Sequence, residues 1–218
     1  MANILGIDEA GRGPIIGPMV MAGAMMEEKE LYHLNALKVM DSKLLTAKRR
    51  EILAEKIMQI SKYKIIIILP LEIDEALNSD KLNLNWLEAH KSAEIINELN
   101  PDKAIIDCPH NNCDKYKAYL QKLVKNKKTE LQVEHKADFN HKIVGAASIL
   151  AKVTRDEEIK KLQKVIPYDI GSGYASDPIT QKFLQEHLKD YEELVRKTWM
   201  TYKDLKEGKA QRKLGEYD

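Results

Sequence analysis

The sequence predicts an α/β fold, a mixed β-sheet with helices on both faces. Three observations carry this reading. Apolar runs of strand length, bounded by Gly, Pro or Asn, lie at 4–7, 19–26, 63–69 and 104–106. Longer segments with helical spacing of their apolar residues begin at Thr46 and alternate with strands from there on. The runs at 4–7 and 104–106 each pass directly into an acid. The first three strands suit antiparallel neighbours and the later ones suit strand–helix alternation. Together they predict five strands with the first one central.

Each element has its own justification. Residues 4–7 lead into Asp8-Glu9 and then Gly11-Arg12-Gly13-Pro14. A strand interior has no use for two carboxylates, so they belong at its end. Successive strand side chains point to opposite faces. Asp8 and Glu9 therefore meet at one site only through a bend, which Gly11 and Gly13 permit. On this stretch alone, a solvated turn accounts for the residues equally well.

Residues 15–26 are apolar but too broken by Gly17, Pro18 and Gly23 for a helix, which predicts a strand over 19–26. Asp41-Ser42-Lys43 reads as a polar loop. Thr46 caps a helix with Ile52, Leu53, Lys56, Ile57 and Ile60 on one face. The β-branched run 63–69 is the clearest strand, ended by Pro70. Helices follow over 71–77 and 83–99, the second stopped by Asn100-Pro101.

Residues 104–106 repeat the opening pattern and reach Asp107. A helix over 114–124, a basic turn over 125–128, an alternating strand over 131–134 and a loop holding Asp138 come next. Residues 141–165 read as one long helix, with Gly145, Ala146, Ala147 and Ser148 allowing close packing. After a loop at 171–178, Asp177-Pro178 supplies the cap and first position of a further helix. Between Arg196 and Lys213 there are seven basic and two acidic residues, which makes a locally cationic tail.

Composition narrows the function classes. The 218 residues suit one sizeable domain or a domain with an appendage. A formal net charge of +1 excludes a histone-like tail protein but not a nucleic-acid binder with a local basic face. No apolar run approaches the roughly 20 residues of a membrane span. The N-terminus lacks a secretory pattern, so the expectation is a soluble, cytoplasmic protein. Cys108 and Cys113 flank His110, but a structural zinc site wants four ligands and tighter cysteine spacing. Two reduced thiols are the better reading.

If the strands at 4–7 and 104–106 pair in parallel, Asp8 and Asp107 meet at the carboxyl edge, where open α/β sheets hold their sites. With Glu9 and Asp138 they make a cluster of four carboxylates. Such groups repel and raise each other's pKa unless cations neutralise them. Hard oxygen donors select magnesium or manganese. Two such ions about 4 Å apart clamp the attacking and leaving oxygens of a phosphoryl displacement. The competing account is four unrelated surface acids, the usual fate of Asp and Glu. That two of them end apolar strands weighs against it.

Residues 6–14, Asp41-Ser42-Lys43, Ile106-Asp107, Lys136-Ala137-Asp138, the run 146–153 and the loop 171–178 resemble, in order, the motifs of type 2 ribonuclease H, ribonuclease HII, in an archaeal style. The resemblance implies a ribonuclease H-like fold, with a catalytic domain over 1–170 and a small C-terminal helical, substrate-binding region over 171–218. It implies endonucleolytic cleavage of RNA in RNA–DNA hybrids and incision at single ribonucleotides in duplex DNA, leaving 5′-phosphate and 3′-hydroxyl ends. Asp8, Glu9, Asp107 and Asp138 are then the catalytic acids, binding two divalent ions, Mg2+ or Mn2+. Gly11, Arg12, Gly13 and Tyr174 sense the ribonucleotide.

Physical chemistry is consistent with these roles. The 2′-hydroxyl that separates RNA from DNA is both donor and acceptor, and a glycine-rich main chain can approach it. Arg12 offers a planar fork to a phosphate, and Tyr174 offers a flat face to a sugar. Lys43, Lys136 and Lys152 are candidate contacts to the nucleic-acid backbone, although the ordinary fate of each is a solvated lysine. A different nuclease or strand-transferase on the same fold predicts no preference for ribose. A non-catalytic adaptor predicts that the acids are dispensable.

Gln211, Leu214 and Tyr217 resemble a sliding-clamp-binding motif, with Asp218 where its second aromatic belongs. A frayed basic tail touching phosphate accounts for the same residues. The chain is expected to be monomeric.

Overall fold

The computed structural model describes residues 2–37, 39 and 45–208. Its centre is β1 (Asn3–Ala10). β2 (Met19–Glu27) pairs antiparallel with β1, and β3 (Lys62–Ile68) pairs antiparallel with β2. On the other side β4 (Lys103–Asp107) runs parallel to β1, and β5 (Glu130–Glu134) runs parallel to β4. The order is β3-β2-β1-β4-β5. This is the expected five-stranded mixed sheet with its first strand in the middle.

The period of two along a strand divides the core. Leu5, Ile7, Met19, Met21 and Met25 face one cluster. It is covered by α3 (Pro70–Asn78), α4 (Leu84–Leu99) and α5 (Cys113–Leu123). Ile4, Val20, Ala22, Ala24 and Met26 face the other cluster. That face is covered by α1 (Tyr32–Ala36), α2 (Ala47–Ile60), the single turn α6 (Ala137–Asn140) and the long α7 (Lys142–Val165). A third cluster joins Ile15 and Ile16 to Ile166, Ile170, Phe183 and Val195. It brings α8 (Pro178–His187) against the segment that follows β1, near α9 (Met200–Lys206). No described helix is long and apolar enough to cross a membrane.

Thr46 and Asp177 accept a main-chain N–H at a helix start, as expected. Asn83 and Asn112 do the same at two further starts that the sequence reading did not mark as capped. Asn100 ends α4 in the left-handed region, with φ 48°. Three details differ. Ile52 and Ile60 sit at the exposed edge of α2, which buries Leu53, Ala54 and Ile57 instead. Pro70 does more than end β3, because it takes the first position of α3, where its missing N–H costs nothing. Asp138 lies in α6 rather than in a loop. Asp41-Ser42-Lys43 lies outside the described residues.

The small residues of α7 serve the expected close approach. Gly145, Ala146, Ala147 and Ser148 are buried, and so is Val144 beside them. Gly6 of β1 faces the main chain of this helix, and a Cβ there would stand 2.4 Å from the Ile143 carbonyl. Backbone cannot yield as a side-chain tip can, so the Gly6→Ala variant must push α7 off the sheet. It is expected to lose about 3 kcal/mol of stability in urea unfolding. An unchanged midpoint would mean that strand and helix separate freely.

Candidate active site

The ladder between β1 and β4 has Ile7–Ile106 as its last pair. The next residues are Asp8 and Asp107, which therefore stand side by side at the carboxyl edge. Carboxylate oxygens of Asp8, Glu9 and Asp107 lie within 4.8 Å of one another. The expected bend is not what unites them, since β1 stays paired with β2 through Ala10–Val20. Instead Asp8 folds back so that its Oδ1 accepts the N–H of Glu9 at 2.8 Å. Asp107 Oδ1 accepts the Ala137 N–H at 2.8 Å, which fixes the start of α6. Asp138 lines the same cleft, outside the tight group of three.

The electrostatics of this edge follow from burial. Asp8 is pushed well above the usual carboxylate range, first by desolvation and then by the charges of Glu9 and Asp107. A hydrogen bond from Ser148 on α7 opposes this. Glu9 is pushed up to about 8 by desolvation, then by Glu88 and Asp107. Glu88, wholly buried on α4, is pushed up to about 7, with desolvation again the largest cause. Carboxylates held this way gain most from a nearby cation, and their hard oxygens suit Mg2+ or Mn2+.

Beside the acids the chain turns through Gly11-Arg12-Gly13. Gly11 has φ 77°, and a Cβ there would stand 2.8 Å from the Pro18 carbonyl oxygen. Arg12 turns two nitrogens of its fork toward α4. Its Nε donates to Glu88 Oε1 at 2.7 Å and its Nη2 to Asn85 Oδ1 at 2.8 Å. The main chain of the turn is gripped from behind by Arg196. Nη2 of Arg196 donates to Gly11 O at 2.6 Å and Nη1 to Arg12 O at 2.8 Å. Nη2 and Nε also reach Gly17 O. Trp199 Nε1 donates to Gly13 O at 3.1 Å, and its ring covers the Arg196 guanidinium. Buried Asp74 of α3 accepts from the N–H groups of Lys197 and Thr198 and from the Thr198 hydroxyl.

Arg196 is fully buried, and burial pulls it down to about 10, so it stays charged at neutral pH. This corrects the reading of 196–213 as a cationic tail at its first residue. Arg196, Trp199, Asp74, Asn85 and Glu88 were not singled out in the sequence, because no local spacing marks them. The available signals are acids on apolar helix faces, Asp74 next to Ile73 on α3 and Glu88 between Leu87 and Ala89 on α4.

Tyr174 lines the same cleft, 40% exposed, with the Arg155 guanidinium 5.7 Å from its ring centre. A Cβ on Gly13 would stand 3.6 Å from its ring. Its loop is fixed by Gly173 O, which accepts from the N–H groups of Ile15 and Ile16, and by Arg155 donating to Ser172 O. Lys152 lines the cleft and pairs with Asp156 at 2.9 Å. Lys136 is exposed at the start of α6, apart from the cleft lining. Lys43 lies outside the described residues, as do Gln211, Leu214 and Tyr217.

Comparison with known proteins agrees with this geometry. A family model described as Ribonuclease HII matches residues 5–202. A ribonuclease HII of Methanococcus maripaludis is 44% identical over 210 residues, covering 93% of this chain and 86% of the relative. The crystal structure of ribonuclease H2 from Pyrococcus horikoshii OT3 superposes with a TM-score of 0.86 at 39% identity, covering 94% of this chain and 98% of that one. The PCNA:RNase HII complex from Archaeoglobus fulgidus matches with a TM-score of 0.82 at 37% identity, covering 91% and 95%. These neighbours share the ribonuclease H-like fold.

The raised acids predict a pH dependence with a definite sign. A carboxyl whose folded-state value lies above its ordinary one holds its proton longer in the folded chain, so stability is lost as pH rises between the two values. For Glu9 that window runs from 4.5 to about 8. The metal-free protein is expected to melt at progressively lower temperature from pH 5 to pH 8. Mg2+ or Mn2+ at pH 8 should restore the loss, and Asp8→Asn should shrink it. Scanning calorimetry checks this; a melting temperature that rises over the window without metal would contradict the assignment.

Proposed function

The chain belongs to the ribonuclease HII family, and from that membership we propose that it incises duplex DNA at single embedded ribonucleotides as well as cleaving hybrids. Members of this family are metal-dependent ribonucleases that hydrolyse phosphodiester bonds and act on the RNA of RNA–DNA hybrids. The observation that carries the finer reading is three carboxylates within 4.8 Å at a sheet edge, in one cleft with the Gly11–Gly13 turn and Tyr174.

Asp8, Glu9, Asp107 and Asp138 are the residues that would hold two divalent ions. Bound there, Mg2+ or Mn2+ supplies an activated water and stabilises charge on the phosphate, giving 5′-phosphate and 3′-hydroxyl ends. The chain's own residues orient and discriminate. Ser148 and the Glu9 N–H hold the Asp8 carboxylate in place. The Gly11–Gly13 main chain reads the 2′-hydroxyl, which a deoxyribose lacks. Its rigidity comes from Arg196 and Trp199, so the ribose meets a preformed surface. Tyr174 packs its ring against the sugar beside that turn. Arg12, half-exposed but tied to Glu88 and Asn85, serves mainly to set the turn. Residues 1–170 act as the catalytic domain and 171–218 as the substrate-binding region, with Lys43, Lys136 and Lys152 as candidate contacts to the nucleic-acid backbone.

Cleavage of two duplexes tests this, one with a single ribonucleotide and one a long hybrid. Asp8→Asn is expected to lose nearly all cutting of both while still binding them. Tyr174→Ala is expected to lose more on the single ribonucleotide, because a hybrid offers many registers. Near-normal rates in Asp8→Asn with saturating metal would remove the metal assignment. Equal losses in Tyr174→Ala would make that ring a packing residue.

A sliding clamp is the proposed protein partner. The relative from Archaeoglobus fulgidus was solved as a complex with PCNA, and Gln211, Leu214 and Tyr217 offer a motif lacking one aromatic. Calorimetry of the clamp with the full chain and with Leu214→Ala plus Tyr217→Ala should show heat only for the first. Equal heats would assign the tail to nucleic acid.

A further inference from the structure

A second cluster of ligand atoms lies on the far side of the same strand end. We propose that Cys108, Cys113 and His135 form a site for a thiophilic divalent ion of the zinc class, separate from the carboxylate cluster. The sulfurs and a ring nitrogen of these three residues lie within 4.8 Å of one another. Each comes from a different element. Cys108 follows the last residue of β4, Cys113 opens α5, and His135 follows the last residue of β5.

The strand period explains how two such different sites coexist one residue apart. Cys108 continues the row of Ala104 and Ile106 and is buried in the cluster under α4 and α5. Asp107 belongs to the other row and joins the acids. The local frame holds the donors together. The Cys108 N–H donates to Glu134 O at 2.9 Å, and His135 Nδ1 lies 3.3 Å from Cys108 O. His110, the histidine between the cysteines in sequence, is turned elsewhere. Its Nδ1 accepts the Asn112 N–H, and its ring stacks on Trp86.

The donor set decides the ion. Two sulfurs and an imidazole favour zinc and its borderline-soft relatives and give magnesium nothing to prefer. Tetrahedral zinc places sulfur and nitrogen ligands about 3.5–3.8 Å apart, so closing the cluster asks little of exposed His135 and half-buried Cys113. Water takes the fourth position, as is usual with three protein ligands. Two thiolates neutralise the dication, so an ion there leaves the charge near Asp107 as it was. Thiols bind such an ion as thiolates, so taking up the ion releases protons. The bound ion ties the ends of β4 and β5 to the start of α5, behind the acids.

The test uses the reduced full-length chain, with both thiols confirmed free by titration, in excess Mg2+ to occupy the carboxylates. Co2+ serves as the probe. The expected result is a thiolate-to-cobalt charge-transfer band saturating at one ion per chain, bleached by Zn2+ and untouched by further Mg2+. Zn2+ should also raise the melting temperature. Cys113→Ser should lose the band, and His135→Gln should weaken cobalt binding many-fold. His135 is exposed and Cys113→Ser keeps the size of a half-buried side chain, so both variants should melt like the parent without metal. A parent chain without the band, or a band unchanged in Cys113→Ser, would overturn the proposal.

Discussion

The parallel ladder between β1 and β4 stops one residue short of an acid on each strand, and the rest of the molecule accommodates that. Ile7 and Ile106 end the pairing inside the core. The residues that follow must emerge together, at a point where desolvation is still strong. A carboxylate there is costly unless it is protonated, hydrogen-bonded or faced by a cation. The structure supplies part of the compensation with the Glu9 N–H, Ser148 and the N–H that begins α6. The remainder is the cost that the proposed divalent ions would relieve.

The wall that faces the acids is built on a different principle. Its shape depends on main-chain carbonyls, which carry no side-chain identity and must be held by something else. Arg196 does this with one guanidinium spread over Gly11, Arg12 and Gly17. Asp74 fixes the segment that carries it, and Trp199 closes over it. Buried ion pairs are often weak contributors to stability. Here the buried charge binds carbonyls, and what it secures is the position of a turn. Arg12 and Glu88 do the same from the side of α4.

Much of this was legible in the sequence because it is local. Strand runs of period two, caps at Thr46 and Asp177, and acids placed after apolar runs gave the sheet, its central strand and three converging carboxylates. What was not legible is what depends on distant partners. Nothing near Arg196 distinguishes a buried arginine from a solvated one. Nothing near Arg12 reveals that its fork meets Glu88, 76 residues away. The bend expected at Glu9 failed for a related reason, since a side chain folding onto its own neighbour's N–H leaves no mark on spacing. The third donor to Cys108 and Cys113 was hidden likewise, because strand pairing rather than sequence brings His135 to them.

The bond from Arg196 to Arg12 spans 184 positions, nearly the whole described chain. Loop closure over such a distance is slow compared with the forming of hairpins and helices. During synthesis, the acids of β1 emerge first and can meet Asp107 once β4 has been added. The turn beside them keeps its carbonyls unclaimed until Arg196 has been added. A chain ending before residue 196 therefore carries the three clustered acids without the guanidinium that holds the turn next to them. The order in which the chain is made thus leaves that turn to be fixed after the strands that carry Asp8 and Asp107.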